Sequence, residues 1–273
     1  MTIELGKGLL GGLRVGGFCL GVLAAAARPV AAEPANIKFK GQPVTPDAGF
    51  YVATQDAPVR DKPDTNAKRI GGFDVGDRIL VVGKAQGSWL AVRKNGKDFG
   101  FVYGPVLMPL LDNVPKYPLS GRTAIANGEC DWRIIHEGET PIEGQLFNSL
   151  DYRARLDCRR GGGTVGFDAP MFITEGPYNG GTNPVHQIGL DVLELGQDYE
   201  RVFSTNMLYD RDKNEVRFDG LSVDKYRVKK EPAPIAAKNV AEALTAAIAI
   251  ALQAWSADFW TDLGAALKAA AKR

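Results

Sequence analysis

Two side chains in this sequence have the types that nucleophilic catalysis uses: Cys158, which follows Asp157, and His186 further along the chain. A cysteine attacks as the thiolate, so it needs a depressed pKa from a helix N-terminus or from a neighbouring base that takes its proton. The local sequence offers Cys158 no such helix. Tyr152 to Cys158 alternates in polarity like a strand, and the following Arg159-Arg160-Gly161-Gly162-Gly163 is a poor helix opener. There are three cysteines, and Cys19 lies in an N-terminal apolar run that export would remove. The even pair left, Cys130 and Cys158, reads as a disulfide in an oxidising compartment. We therefore assign no catalytic residue.

Other chemical patterns fall short of a site. His136 and His186, taken with Asp131, Glu137 or Asp191, lack any ligand spacing for a metal. Gly161-Gly162-Gly163 is without the Lys and Ser/Thr of a phosphate loop and reads as a hairpin turn. Tyr209-Asp210-Arg211-Asp212-Lys213-Asn214-Glu215 has calcium-like acidic spacing, but no Gly at the sixth position and no Glu at the twelfth, so a charged turn is expected. No metal and no cofactor are expected.

The ends of the chain differ from its middle. Residues 1–32 read as a secretory signal: Lys7 and Arg14 precede an apolar run from Val15 to Ala27, and Val30-Ala31-Ala32 offers a cut before Glu33. Ala24 to Ala27 is an alternative cut site, and an uncleaved anchor is the competing reading. Loss of Lys7, Arg14 and Arg28 against Glu4 removes two net positive charges from the chain's +1, leaving −1. That balance excludes a nucleic-acid partner driven by basic charge. Phe18 before Cys19 departs from a lipoprotein signal, which wants a small residue there. A periplasmic or secreted protein is expected, with no transmembrane span once the signal is cut.

Residues 33–49, rich in Pro and Gly, read as a linker. From 50 to 111 short strands and tight turns follow one another: Phe50-Tyr51-Val52-Ala53, Ala57-Pro58-Val59-Arg60, Arg78 to Gly83, Trp89 to Arg93 and Phe99 to Val102, with Asn95-Gly96 as a two-residue hairpin turn. So many short strands must close into a small barrel to satisfy their edges. Val59-Arg60 before Lys62-Pro63-Asp64, then Ile70-Gly71, Val75-Gly76-Asp77, Gly87-Ser88-Trp89-Leu90-Ala91-Val92, Asn95-Gly96-Lys97 and Gly100-Phe101-Val102 resemble, in order and spacing, the bacterial SH3 (SH3b) domain family. The family usually has Asn-Val-Arg where this chain has Ala57-Pro58-Val59-Arg60, and often Trp where Phe101 stands. The resemblance implies an exported recognition module for peptidoglycan or for a peptide or protein ligand of the envelope. Its candidate ligand-binding residues here are Tyr51, Arg60, Asp64, Trp89 and Tyr103, with Phe99 beside them; Trp89 and Phe101 have barrel core as a competing role.

Residues 121–230 continue as alternating segments, among them Asp131 to His136, Tyr152 to Cys158, His186 to Leu193, Arg201 to Thr205 and Glu215 to Phe218. An antiparallel β-sandwich-like domain with one wet sheet face is expected, tied by the Cys130–Cys158 bridge. Asp157-Cys158 and Val185-His186-Gln187-Ile188-Gly189 also resemble pieces of NlpC-type cell-wall peptidases, which often carry SH3b domains. Arg159-Arg160 replaces that family's Ser-Gly, and the Cys–His spacing is short. Such a cysteine peptidase or amidase is the alternative to a non-catalytic adaptor.

After Pro234 the composition turns to Ala and Leu at helical period, so residues 235–272 read as an α-helical segment. Its apolar run is too short to span a bilayer. It is expected to pack on the β domain or to meet a partner helix through 240–267, ahead of a third reading as a membrane-surface helix with Trp255, Phe259 and Trp260 at the interface. The whole chain thus reads as mainly β: a small SH3-like barrel, a sandwich-like antiparallel domain and a C-terminal helix.

Overall fold

The computed structural model describes residues 36–125, 128–160, 163–178, 184–193, 201–221 and 231–255. The expected signal, Cys19, and the helical continuation after Trp255 lie outside them.

The first module is one antiparallel sheet. Its strands are β1 (Ile37–Phe39), β2 (Gln42–Ala53), β3 (Ala57–Arg60), β4 (Arg69–Phe73), β5 (Arg78–Lys84), β6 (Trp89–Lys94), β7 (Lys97–Tyr103) and β8 (Leu107–Pro109). They run in the order β1-β2-β5-β6-β7-β3-β4, with β8 on β2. The sheet curls: Ala53, Val59, Phe73, Ile79, Val81, Leu90, Val92 and Val102, from β2 to β7, share a single core. Alternate residues of β6 and β7 face the other way, where Trp89, Ala91 and Phe101 bury Phe39 and Val44. At the crossing of β3 and β7, a Cβ on Gly100 would stand 2.5 Å from the Arg60 carbonyl, so only glycine fits there.

That second small core corrects the expected linker. Residues 37–49 are strand, because Lys40 (φ 46°) and Gly41 (φ 79°) make a two-residue turn and lay Phe39 and Val44 against Trp89 and Phe101. The Asn95-Gly96 turn is as expected, with φ of 54° and 75°.

The second module is a sequential meander of eight antiparallel strands: β9 (Leu119–Ile125), β10 (Gly128–Pro141), β11 (Asn148–Arg160), β12 (Gly163–Thr174), β13 (Val185–Leu193), β14 (Arg201–Asp210), β15 (Glu215–Leu221) and β16 (Ile235–Ala236). Helix α1 (Val240–Ala254) packs against β9 at one end of this sheet and β15 and β16 at the other. The layer facing the sheet is thus a helix. The sheet curls round it as a half-barrel, and Trp132, Ile134, Tyr152, Leu156, Met171, Ile188 and Met207 share a core with Val240, Leu244, Ile248 and Leu252. Helix α1 begins five residues later than the pattern predicts. Ile235 and Ala236 pair with β15, and Asn239 caps the helix by accepting from the Glu242 N–H at 2.9 Å, while Glu242 reaches back to the Lys238 N–H. Its main apolar face, with Val240, Leu244, Ile248 and Leu252, is covered within the chain, while Ala241, Thr245 and Ala249 stay half-buried. No helix among the described residues is long and apolar enough to cross a membrane.

The modules meet at a shared apolar contact, where Val52, Met108 and Leu110 pack on Phe147. Beside it the buried carboxylate of Glu175 receives both Arg78 guanidinium nitrogens, at 2.6 and 2.5 Å, and the Leu111 N–H donates to the Glu175 carbonyl. Arg211 donates to the Leu110 carbonyl at 3.0 Å.

Candidate functional site

Each expected ligand-binding residue has a definite place, and they do not form one groove. Tyr51 lies on β2, half-buried against the main barrel core. Arg60 spends a guanidinium N–H on the Ala67 carbonyl, at 2.5 Å, across the β3–β4 turn. Asp64 sits in that same turn, accepting from the Asn66 N–H at 2.8 Å. Both are therefore used to hold the turn. Trp89 is buried in the second small core, on the opposite side of β6 from Leu90, so its core role is the one the structure gives it. Tyr103 is 44% exposed and lies against Trp89, with ring centroids 5.6 Å apart. Phe99 packs edge-on against Phe73 at 5.7 Å.

Of the five, Tyr51 lines a cleft among the described residues. The cleft, of about 410 Å³, is walled by Tyr51, Lys84, Ser88 and Leu90 and floored by Pro105 and Pro109. Three separated segments build it. The β5–β6 turn enters with Gly87 (φ 69°) and Ser88 (φ 64°) both left-handed, and the Ser88 carbonyl accepts from the Gly104 N–H at 2.8 Å, which ties the turn to the 3₁₀ turn Gly104–Val106. A non-glycine residue held at positive φ carries backbone strain that its surroundings must hold in place. Across the cleft Lys84 pairs with Asp47 at 2.9 Å. That hydrogen bond raises the ammonium's pKa against the opposing effect of burial. Burial, with the Asp47 charge second, raises the Tyr51 phenol, so it remains a neutral donor at physiological pH. The cleft thus offers an aromatic face, an apolar floor, a hydroxyl and the Lys84 ammonium, which is held from outside the lining by Asp47. Lys84, Ser88, Pro105 and Pro109 were not singled out from the sequence. The Gly87-Ser88 turn was the one local signal for them.

A second cavity, about 450 Å³, opens where the half-barrel stays unclosed between β9 and β16, over Ala241, Thr245 and Ala249 of α1. It is mostly apolar, with Arg122 and Glu242 at its mouth.

The two halves of the alternative catalytic pair are separated. Cys158 is bonded to Cys130, directly opposite it on β10. Cys158 pairs with Val165 at one end of β12, whereas His186 bonds to Thr174 at the other end, so about 30 Å of strand lies between their levels at 3.3 Å per residue. His186 is fully buried; its Nδ1–H donates to the Thr174 carbonyl at 3.1 Å, and Nε2 has no hydrogen-bond partner among the described residues. Burial, reinforced by the Arg211 charge, lowers its pKa to about 4. His136 packs edge-on against Tyr152 at 5.2 Å. Among the described residues no three His, Cys, Asp or Glu side chains are grouped to hold a metal ion. Asp210 to Glu215 is a turn joining β14 and β15, where Asp210 pairs with Lys213 at 3.0 Å.

The chain matches no protein-family model, and neither curated proteins nor solved structures give a match.

Proposed function

We propose that the protein is an exported, non-catalytic binding protein of the cell envelope, whose N-terminal barrel is an SH3b-type module that recognises a short peptide, as in the stem peptides of peptidoglycan or an exposed segment of an envelope protein. The observation that carries this reading is the cleft at Tyr51. It combines a rigid aromatic wall, proline floor and few polar groups, the usual make-up of a small recognition site. The Cys130–Cys158 bridge fits an oxidising compartment. The bridge also occupies the sulfur that a cysteine peptidase would need, so the adaptor reading is preferred.

Co-sedimentation of the full chain with purified peptidoglycan sacculi tests the proposal. Retention that falls in Tyr51→Ala while the fold is intact supports it, since losing a buried aromatic anchor typically costs more than about tenfold in affinity. Retention equal in wild type and variant overturns the assignment of the cleft.

A further inference from the structure

The outer face of the second sheet carries charged side chains in rows set by strand register. From β9 to β12 one row reads Arg122, Asp131, Asp157, Gly166, and the next reads Ser120, Arg133, Arg155, Asp168. Three arginines on this face are held by carboxylates. Arg122 bonds to Asp131 at 2.6 Å, Arg153 to Glu137 at 2.6 Å, and Arg159 to both Glu129 and Asp131 at 2.8 Å.

Arg133 and Arg155 differ. They stand directly opposite each other, both exposed, and neither makes an ion pair or side-chain hydrogen bond with a described residue. Like charges directly opposite on neighbouring strands repel. Asp168 stands directly opposite Arg155 on β12, yet neither it nor Asp157, whose Oδ1 lies 2.8 Å from where a Cβ on Gly166 would be, forms an ion pair with either arginine. The strand pair that carries both arginines is cross-linked three positions away by Cys130–Cys158. The repulsion is therefore built into a braced frame, with the Ser120 hydroxyl next in the row.

We propose that Arg133 and Arg155, with Ser120, bind a phosphate-type oxyanion. Two guanidinium forks on adjacent strands suit the several oxygens of such a group, which would neutralise their mutual repulsion. The group could be borne by a soluble phosphate ester or by a phospholipid head group, and the chemistry is the same for both. The site lies on the second module and does not depend on the barrel's ligand.

Calorimetric titration of the full chain with inorganic phosphate, and co-sedimentation with vesicles of phosphatidylglycerol or phosphatidylcholine, test this. Phosphate should bind and raise the melting temperature. Arg133→Gln and Arg155→Gln should each weaken binding about tenfold, the loss of one charge-assisted contact, whereas Arg93→Gln in the barrel should not. Without phosphate the two variants should melt at or above the wild-type temperature, because each relieves the repulsion. Retention on phosphatidylglycerol alone, lost in the same variants, assigns the lipid source; phosphate binding without vesicle retention assigns a soluble ester. No binding of either ligand, or binding equal in wild type and both variants, overturns the proposal.

Discussion

Acidification should destabilise this protein through His186 in a way that the residue's surroundings allow to be calculated. The ring is fully buried, and its Nδ1–H is committed to the Thr174 carbonyl. The remaining Nε2 has no hydrogen-bond partner among the described residues, so protonation would create a buried cation near the Arg211 charge that the Thr174 and Gly176 backbone offsets only in part. Burial first, then Arg211, lowers the pKa from 6.5 to about 4. The unfolded chain therefore takes up a proton at this site that the folded chain refuses between those two values. Stability is full above the unfolded value, falls as pH drops through 6.5, and the loss is complete near pH 4. At about 1.4 kcal/mol per unit the total is about 3 kcal/mol, of which about 2 kcal/mol is lost by pH 5. The assay is urea unfolding of wild type and His186→Gln at several pH values from 7.5 to 4. Carboxylates titrate in both proteins, so the histidine's share is the difference between their slopes. The variant is expected to be less stable at neutral pH but to lose about 2 kcal/mol less than wild type on going to pH 5. Parallel curves would refute the reasoning, since they would mean that His186 takes up its proton as readily folded as unfolded.

Two further perturbations bear on how the modules are held. Among the described residues, Arg78→Ala leaves the buried Glu175 carboxylate with only the Asn148 N–H, at 3.3 Å, and should cost about 1–3 kcal/mol; chemical unfolding measures this, and faster proteolysis between residues 111 and 118 should accompany it. Replacing Cys130 and Cys158 together by Ala opens a loop with a sequence separation of 28 and should lower stability by about 3–4 kcal/mol, read as a drop in urea midpoint that reduction of the wild type reproduces.

Much of this architecture was legible in local pattern. The alternation Trp132, Ile134 against Asp131, Arg133 told inner from outer face, and Asn95-Gly96 told the hairpin, because each depends only on neighbouring residues. Three features were not. Residues 37–49 looked like a linker because only Phe39 and Val44 are buried among prolines and polar residues, and what they pack on lies about fifty residues later, at Trp89 and Phe101. Alternation shows that a sheet has a dry face but not what covers it, so a facing sheet was expected where α1 lies. The helix start was in fact written in Asn239 and Glu242, three residues apart, but the apolar run beginning at Ile235 drew the boundary too early. The cleft was legible only at Tyr51, since its other walls come from two later turns that meet through the Ser88–Gly104 hydrogen bond.

Binding of purified sacculi by wild type and Tyr51→Ala decides whether the cleft beside Tyr51 is where this protein meets its ligand. Tyr51 is half-buried, so melting temperature is measured alongside, with Lys84→Ala as a second variant that leaves the barrel core untouched. Wild type is expected to be retained, and both variants to lose most of that retention while still folded. Retention of both variants at the wild-type level would contradict this.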